Sequence, residues 1–486
     1  MTTREKIAHL LRRFGLGASI AELDYYEKLG VDGAIDRLIN YENYPDGYGV
    51  NCYEYAGRVD GQLRLNPPQV IAWWTAQLIT TQRPLEEKLT LFWHDHFAVS
   101  ASKVNAAPIM FEYVQTLRRN ANGNFLRMLE AISKDPAMIW WLDNNTNVRG
   151  KPNENFAREV LELFTMGIGN YTETDIQEAA RAFTGWTFRR TRLGRPTPEE
   201  IEQQVLNGEP LTTYQFLPRQ HDEGIKKILG NEGNFNGNDV LGIVAPRRET
   251  ARYITTKLWE WFAYPNPEPK VQEKLIKAYF DSGFEIKPIL KAIAESEEFW
   301  SEKCVRKQIK NPVDFTISLA RQLGLGAYLL RERKPDAKPN EPIPRSVVQT
   351  ANGFGRAMGQ QGMQLLYPPD VAGWDWGEAW ISSATMIERI RVADLLFQQR
   401  PATGGGTAAI VADYVLNQRK ASTSAAAIEA MAELFDAQVP ASGRSALTKA
   451  FESAGGLAAL AGQRTGSTVV RETLRVLFAI PEFHFC

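Results

Sequence analysis

A polar stripe on an otherwise apolar helix is the feature of this sequence best suited to chemistry. In the segment from Asn153 to Phe188, four polar residues recur at helical spacing i, i+3, i+4 and i+7: Asn155, Arg158, Glu159 and Glu162. This spacing places them on one face of a helix. The other positions are mainly apolar, which predicts a mostly buried helix. Because an unpaired buried charge is costly, the stripe must face partners, a metal ion or a wet cleft.

Two roles fit these four residues. In a catalytic role, Glu159 or Glu162 is a general base or a metal ligand. Asn155 is then a hydrogen-bond donor, and Arg158 anchors an anionic group. In a structural role, the stripe belongs to a buried network of arginine–glutamate ion pairs with the next helix, which carries Arg181. The spacing is compatible with both roles.

Histidines beside aspartates form a second group of candidates. His94, Asp95 and His96 are consecutive, and His221 precedes Asp222. Imidazole and carboxylate groups are ligands for zinc, iron or manganese, and a carboxylate can also orient a histidine base. Residues two apart on a helix point to different faces, so His94 and His96 can share one ion only if the helix ends there. The alternatives are hydrogen bonds to buried backbone and carboxylate groups, and a solvated turn at His221.

A short loop near residue 370 carries three tryptophans. Trp374, Trp376 and Trp380 follow Tyr367-Pro-Pro-Asp370. Clustered tryptophans on a loop can form a stacking platform for a sugar or a planar ligand. They can equally anchor the loop on the domain as a plug, and we favour the plug. The sequence contains no GxSxG, P-loop, Rossmann or HExxH motif.

Composition sets limits on the class of protein. The chain has 486 residues, 44% hydrophobic and 23% charged, which indicates a globular protein with two or three packed units. Its net charge of −1 gives no electrostatic reason to bind nucleic acid or an anionic membrane. The three cysteines lie far apart, so a disulfide scaffold or a thiolate zinc site is not expected.

Membrane and export signals are not recognisable in the sequence. No apolar stretch approaches the length of about 18 residues that a transmembrane helix needs. The N-terminal segment reads as an amphipathic helix rather than as a signal peptide. We therefore predict a cytoplasmic protein, although a mature form that had lost an export leader would look the same.

Helical periodicity dominates the elements that must position these residues. Helix starts are indicated by the capping box at Ser19 and by prolines at positions 67 and 84. We predict a mainly α fold, a bundle-like arrangement of many helices with a small β-rich insertion. A Pro- and charge-rich loop is expected over 331–344. The predicted units are a helical domain with the histidine and stripe motifs, a loop- and β-rich insertion, a helical domain with the tryptophan loop, and an Ala-rich helical tail: 1–185, 186–245, 246–400 and 401–486.

The order of the motifs resembles one known family over nearly the whole chain, from about residue 7 to about residue 480. The residues that carry the resemblance include His9-Leu-Leu-Arg-Arg-Phe-Gly-Leu-Gly17, Phe92-Trp-His-Asp-His-Phe97, Asn153-Glu-Asn-Phe-Ala-Arg-Glu159, Ala179-Ala-Arg-Ala-Phe-Thr-Gly-Trp186, Lys257-Leu-Trp259 and Pro368-Pro-Asp-Val-Ala-Gly-Trp374. They resemble the uncharacterised bacterial family called domain of unknown function 1800.

The resemblance implies a setting more than a reaction, because no activity is established for that family. Its members are often exported and often encoded beside a second family that resembles alkaline phosphatases and sulfatases. This implies a partner protein, and an ester-cleaving or envelope context. The present chain departs from the family in having no obvious export signal, which puts an exported or periplasmic setting in doubt here.

Two functions therefore follow from the sequence. The first is a metal-assisted hydrolase, in which a bound zinc, iron or manganese ion lowers the pKa of a water and a glutamate takes its proton. The residues expected to form its cleft are His94, Asp95, His96, Glu159, Glu162, His221 and Asp222. The second is a non-enzymatic accessory or assembly protein that works with a co-expressed phosphatase- or sulfatase-like partner.

Overall fold

The computed structural model describes residues 1–191, 197–332, 341–398, 406–462 and 465–486. Within these residues the chain forms 23 α-helices and three two-stranded antiparallel sheets. This confirms the predicted mainly α fold with small β elements. The predicted loop over 331–344 falls largely on 333–340, and the predicted tail begins on 401–405. Both of these ranges lie outside the described residues.

Eleven of these described helices precede residue 245. They are α1 Thr3–Arg13, α2 Ile20–Ile39, α3 Pro67–Thr80, α4 Pro84–His96, α5 Ala107–Asn120, α6 Phe125–Ser133, α7 Pro136–Trp141, α8 Glu154–Leu161, α9 Glu173–Ala182, α10 Pro198–Leu206 and α11 Gly237–Val244. The capping box at Ser19 is present, and α3 and α4 begin at the predicted prolines. A π-helical turn, Glu162–Met166, follows α8 directly.

Twelve helices make up the described part of the second half. They are α12 Arg248–Phe262, α13 Pro269–Asp281, α14 Ile286–Ala294, α15 Pro312–Gln322, α16 Leu325–Glu332, α17 Arg345–Gln360, α18 Ser383–Gln398, α19 Gly406–Asp413, α20 Ser424–Leu434, α21 Ala441–Ser453, α22 Gly456–Leu460 and α23 Thr465–Leu477. None of the helices in the described ranges is long and apolar enough to span a membrane, in agreement with the prediction.

In the described ranges, six strands form three small antiparallel pairs, of which the first and third are hairpins and the second encloses α10. They are β1 Gly57–Val59 with β2 Gln62–Arg64, β3 Trp186–Arg190 with β4 Thr212–Phe216, and β5 Lys226–Ile228 with β6 Asn231–Gly233. Four of the six strands lie in the segment predicted to be β-rich. The pairing of Trp186 with Phe216 brings the chain back to the end of α9, so this segment closes beside the helix that follows the polar stripe.

The helices pack around a core in which even long polar side chains are bonded inside the protein. Every residue of α4 and of α15 is buried. Lys88 of α4 forms an ion pair with Asp314 of α15. Arg13 donates to three carbonyl oxygens at the end of α12, and Arg321 does so at the end of α3. These guanidinium groups satisfy carbonyls that a helix terminus leaves without intrahelical partners.

Candidate functional site

The three residues His94, Asp95 and His96, which we call the α4 junction, form the last turn of α4. The helix ends at His96. The His94 Nε2 accepts a hydrogen bond of 3.2 Å from the backbone nitrogen of Leu366. The His96 Nε2 lies 3.2 Å from the carbonyl oxygen of Phe164. The two imidazoles are therefore used by different segments of the chain, even though the helix ends as a shared metal site would require.

Burial controls the charge of the α4 junction. Because desolvation disfavours the charged form, it lowers the pKa of His94 to about 3 and puts the pKa of His96 well below its usual value. Both imidazoles are therefore neutral near pH 7. Burial raises the pKa of Asp95 to about 6, against the opposing effect of hydrogen bonds from Trp374 and Trp376. The junction is thus a desolvated part of the core.

Asp95 holds the tryptophan loop. Its carboxylate accepts hydrogen bonds from the backbone nitrogen of Trp374 at 2.7 Å and from the indole Nε1 of Trp376 at 2.9 Å. Gly373 has a φ of +91°, and a Cβ there would lie 2.4 Å from the Asp95 Oδ1, so no larger residue fits. Trp374 and Trp380 are buried, as a plug requires. The loop is fastened to the end of α4.

The second histidine–aspartate pair belongs to the loop between β4 and β5, residues 217–225, which we call the α9 loop because it bonds to the end of α9. The His221 Nδ1 lies 3.0 Å from the carbonyl oxygen of Thr184. Asp222 receives two hydrogen bonds from Arg181, at 2.9 and 3.1 Å. The Arg181 guanidinium lowers the pKa of Asp222 to about 2. The buried ammonium of Lys226 donates to the carbonyl oxygen of Asp222 at 2.6 Å. These contacts fix the loop on the end of α9.

The predicted metal ligands are therefore divided between two places, the α4 junction and the α9 loop. In the described ranges, no three histidine, cysteine, aspartate or glutamate side chains form a group that could hold a metal ion. One ring nitrogen of each histidine and both carboxylates already bond backbone, indole or guanidinium groups. The predicted ligand set does not assemble into one coordination shell here, so we derive no reaction step through a metal ion.

The polar stripe is split between a surface edge and a half-buried edge. Arg158 pairs with Glu154 at 3.4 Å and with Glu173 of α9 at 2.8 Å. Asn155 is exposed, and its Nδ2 donates to the carbonyl oxygen of Leu142 at 3.3 Å. Arg181 of α9 pairs elsewhere, with Glu178 and the α9 loop. Among the described ion pairs of these residues, Arg158–Glu173 joins α8 to α9, and it is exposed rather than part of the buried network that was expected.

Glu159 is the group in the stripe that is left for chemistry. It is half-buried, and its carboxylate has no hydrogen bond or ion pair within the part of the chain that the structure describes. Burial and the nearby Glu162 raise the pKa of Glu159 to about 7. Glu162 itself accepts a hydrogen bond from the hydroxyl of Tyr171. The two carboxylates stand at the point where α8 passes into the π-helical turn, a distortion often found at functional sites.

Helix α12 places a tyrosine and a lysine beside this turn. Gly167 ends the turn with a φ of +78°, and a Cβ there would lie 3.0 Å from the ring of Tyr253. The Lys257 Nζ lies 5.3 Å from the centre of that ring. Burial lowers the pKa of Lys257, while the charges of Asp95 and Glu260 act in the opposite direction. Lys257 makes no hydrogen bond or ion pair with the described residues.

These groups form one continuous set, which we call the acid–base seam: Glu159, Glu162, Tyr171, Tyr253 and Lys257. Glu159 neighbours Glu162, the charge of Glu162 acts on Tyr253, and Tyr253 underlies Lys257. The ring of His96 lies 6.2 Å from that of Tyr253, so the seam borders the α4 junction. The sequence analysis did not group Tyr253 and Lys257 with the stripe. The sequence does place Lys257 four residues after Tyr253, one helical turn away. Lys257 is the first residue of the Lys257-Leu-Trp259 motif.

The fold and the seam define a class, a mainly α-helical protein in which the Glu159–Glu162 pair lies at a π-helical turn and Lys257 lies against Tyr253 beside a buried histidine junction. The family model described as "Protein of unknown function (DUF1800)" matches residues 9–485, and the chain belongs to this family. No curated protein matches the chain. No solved structure matches it either.

Proposed function

We propose that the protein is a hydrolase whose general base is Glu159. The observation that carries the proposal is a half-buried carboxylate that is unpaired among the described residues and whose pKa is raised to about 7. A base with a pKa near the working pH combines a useful ionised fraction with a strong tendency to take a proton. Ionisable groups with shifted pKa values are common at functional sites, where burial and nearby like charges adjust the pKa to the needs of catalysis.

The other members of the seam have roles that follow from their chemistry. Glu162, which accepts a hydrogen bond from Tyr171, is held next to Glu159, and its charge contributes to the raised pKa of Glu159. The Lys257 ammonium makes no hydrogen bond with the described residues, so it can stabilise negative charge that develops on an ester oxygen. In this reaction Glu159 takes a proton from water as the water oxygen attacks the ester carbon, phosphorus or sulfur. The bond from that atom to the oxygen of the leaving alcohol breaks, and Glu159 returns its proton to the departing oxygen.

Replacing Glu159 by glutamine is expected to lower kcat by about 100-fold or more, because general bases contribute about 10²–10⁴ to the rate. The assay uses the nitrophenyl esters of acetic, phosphoric and sulfuric acids with the full chain. In the parent protein the rate should rise with pH with a midpoint of about 7, since only ionised Glu159 accepts a proton. Glu223→Gln, at an exposed glutamate in the α9 loop, is the matched control and should retain full activity.

The same assay separates this proposal from its rivals. Equal rates for Glu159→Gln and Glu223→Gln, or no turnover of any of the three esters, would contradict it. The metal-assisted form that the sequence suggested would need His94 and His221 at one ion, whereas their ring nitrogens bond different segments of the chain. Its test is elemental analysis of protein purified without added metal, repeated on His94→Ala and His221→Ala. Stoichiometric zinc, iron or manganese that these substitutions remove would establish it.

A second candidate is an accessory protein that acts with the phosphatase- or sulfatase-like protein suggested by the family resemblance. The observation that favours it is the structural use of the motif side chains, since Asp95 holds the tryptophan loop and Arg181 holds the α9 loop. In that case no ester is turned over by the chain alone. A stable complex with the co-encoded partner, which raises the partner's activity, would support it.

A further inference from the structure

A separate pocket lies between α3, α5, the end of α10 and the loop around residues 46–51. It has a volume of about 310 Å³, which reaches the lower end of the range of about 300–1,000 Å³ typical of small-molecule sites. Trp73 and Phe111 line it, with their rings 5.1 Å apart in an edge-to-face arrangement. None of the residues of the acid–base seam lines this pocket, so an inference from it does not rest on the proposed hydrolase.

Two of the charged groups that line the pocket are already paired. The Arg118 guanidinium donates to both carboxylate oxygens of Glu87, at 2.8 and 2.9 Å. Asp46 accepts hydrogen bonds from the Gln77 side-chain amide at 2.6 and 2.7 Å and from the Thr81 hydroxyl at 3.0 Å. Bidentate and multiple hydrogen bonds of this kind hold a charged group firmly. These side chains therefore shape the pocket and are not free to take a new partner.

Glu112 is the exception among the lining residues. It is half-buried, and its carboxylate has no hydrogen bond or ion pair among the residues that the structure describes. Burial raises the pKa of Glu112 to about 7, with Asp135 acting in the same direction and Arg119 against it. Arg119 is exposed, and its only hydrogen bond in the described part of the chain goes to Thr116 at 3.4 Å. The carboxylate of Glu112 thus lacks a counter-charge of its own.

The charge balance indicates what kind of ligand fits. With the Arg118–Glu87 pair neutral, two carboxylates (Asp46 and Glu112) face one solvated guanidinium (Arg119). We propose that this pocket binds a small organic cation, an amine or a guanidine, whose charge pairs with Glu112 and whose apolar part packs on Trp73 and Phe111. A buried charge gains most from a partner of opposite sign in a partly desolvated site. An anionic ligand would be repelled by the carboxylates of Asp46 and Glu112, and among these three groups it would be attracted by the Arg119 guanidinium alone.

The test compares benzylamine with benzyl alcohol, which has the same ring and almost the same size but no charge. Binding to the full chain is measured by saturation-transfer NMR at pH 8, above the raised pKa of Glu112, so that the carboxylate is ionised. Benzylamine should bind with a dissociation constant below about 10 mM. Benzyl alcohol should bind at least about 10-fold more weakly, the loss expected for a partly desolvated charge pair.

Variants assign the binding to the pocket. Glu112→Gln keeps the shape of the side chain and should weaken benzylamine binding at least about 10-fold while leaving benzyl alcohol unchanged. Glu452→Gln, at an exposed glutamate outside the pocket, is the control and should change neither. The proposal is overturned if benzylamine does not bind, if the two probes bind equally, or if Glu112→Gln binds benzylamine as the parent does. None of these outcomes bears on the hydrolase, which is tested with esters at Glu159.

Discussion

Asp95→Ala is expected to lower the free energy of unfolding by about 2–5 kcal/mol, since it leaves one buried and one partly buried donor without an acceptor. Those donors are the backbone nitrogen of Trp374 and the indole nitrogen of Trp376. The truncation also removes atoms from a fully packed region against which Gly373 lies, and a residual cavity adds to the loss. The measurement is urea unfolding followed by circular dichroism, together with tryptophan fluorescence as a report on the loop.

The matched control is Asp375→Ala, because Asp375 lies in the same loop and is exposed. It should change the free energy of unfolding by less than about 0.5 kcal/mol, as is usual for surface positions. Asp95→Asn keeps the size of the side chain and one acceptor oxygen, so its loss should lie between those of the two alanine variants. If Asp95→Ala and Asp375→Ala were equally stable, Asp95 would not hold the loop.

Lys88→Met is expected to cost about 3–5 kcal/mol, because it leaves the carboxylate of Asp314 without its partner in the core. The pair joins α4 to α15, two helices that are buried throughout. The double variant Lys88→Met with Asp314→Leu should recover most of the loss, since replacing both members of a buried ion pair by apolar groups is often close to neutral. Urea unfolding of the four proteins of this double-mutant cycle gives the coupling.

Lys307→Met supplies the reference for removing a lysine charge alone. Lys307 is exposed, so the free energy of unfolding of Lys307→Met should lie within about 0.5 kcal/mol of that of the parent. A double variant as unstable as Lys88→Met would show that the side chains contribute through packing rather than through the charge of their partner. That result would contradict a stabilising ion pair between α4 and α15.

Local signals in the sequence determine much of the fold. Capping at Ser19 and proline at the first turn of α3 and α4 located helix starts, because they act within one turn of the chain. The short hairpin of β1 and β2 was not predicted, since its residues lack the alternation of a half-buried strand. The run beginning at Pro136 could be strand or helix by pattern, and it is helix α7 in the structure.

The site depends on contacts that no local pattern contains. The backbone nitrogen of Leu366 donates its hydrogen bond to His94, which lies 272 residues earlier in the chain. Imidazole beside carboxylate suggested a metal site, yet the partners that the structure gives these groups are a backbone nitrogen, a carbonyl oxygen and indoles. The stripe was recognisable from helical spacing, but which of its carboxylates lacks a partner depends on α9 and α12. The position of Tyr253 against Gly167, with Lys257 over its ring, likewise follows from how α12 packs on the π-helical turn.

The pKa of Glu159 is the quantity that most directly tests its proposed role as the general base. It can be measured by ¹³C NMR of side-chain carboxyl groups in protein labelled at glutamate, with Glu159→Gln to assign the resonance. We expect the Glu159 carboxyl group to titrate with a midpoint of about 7. A midpoint close to the ordinary glutamate value of about 4.3 would mean that the carboxylate is solvated or paired, and would contradict its role as the base.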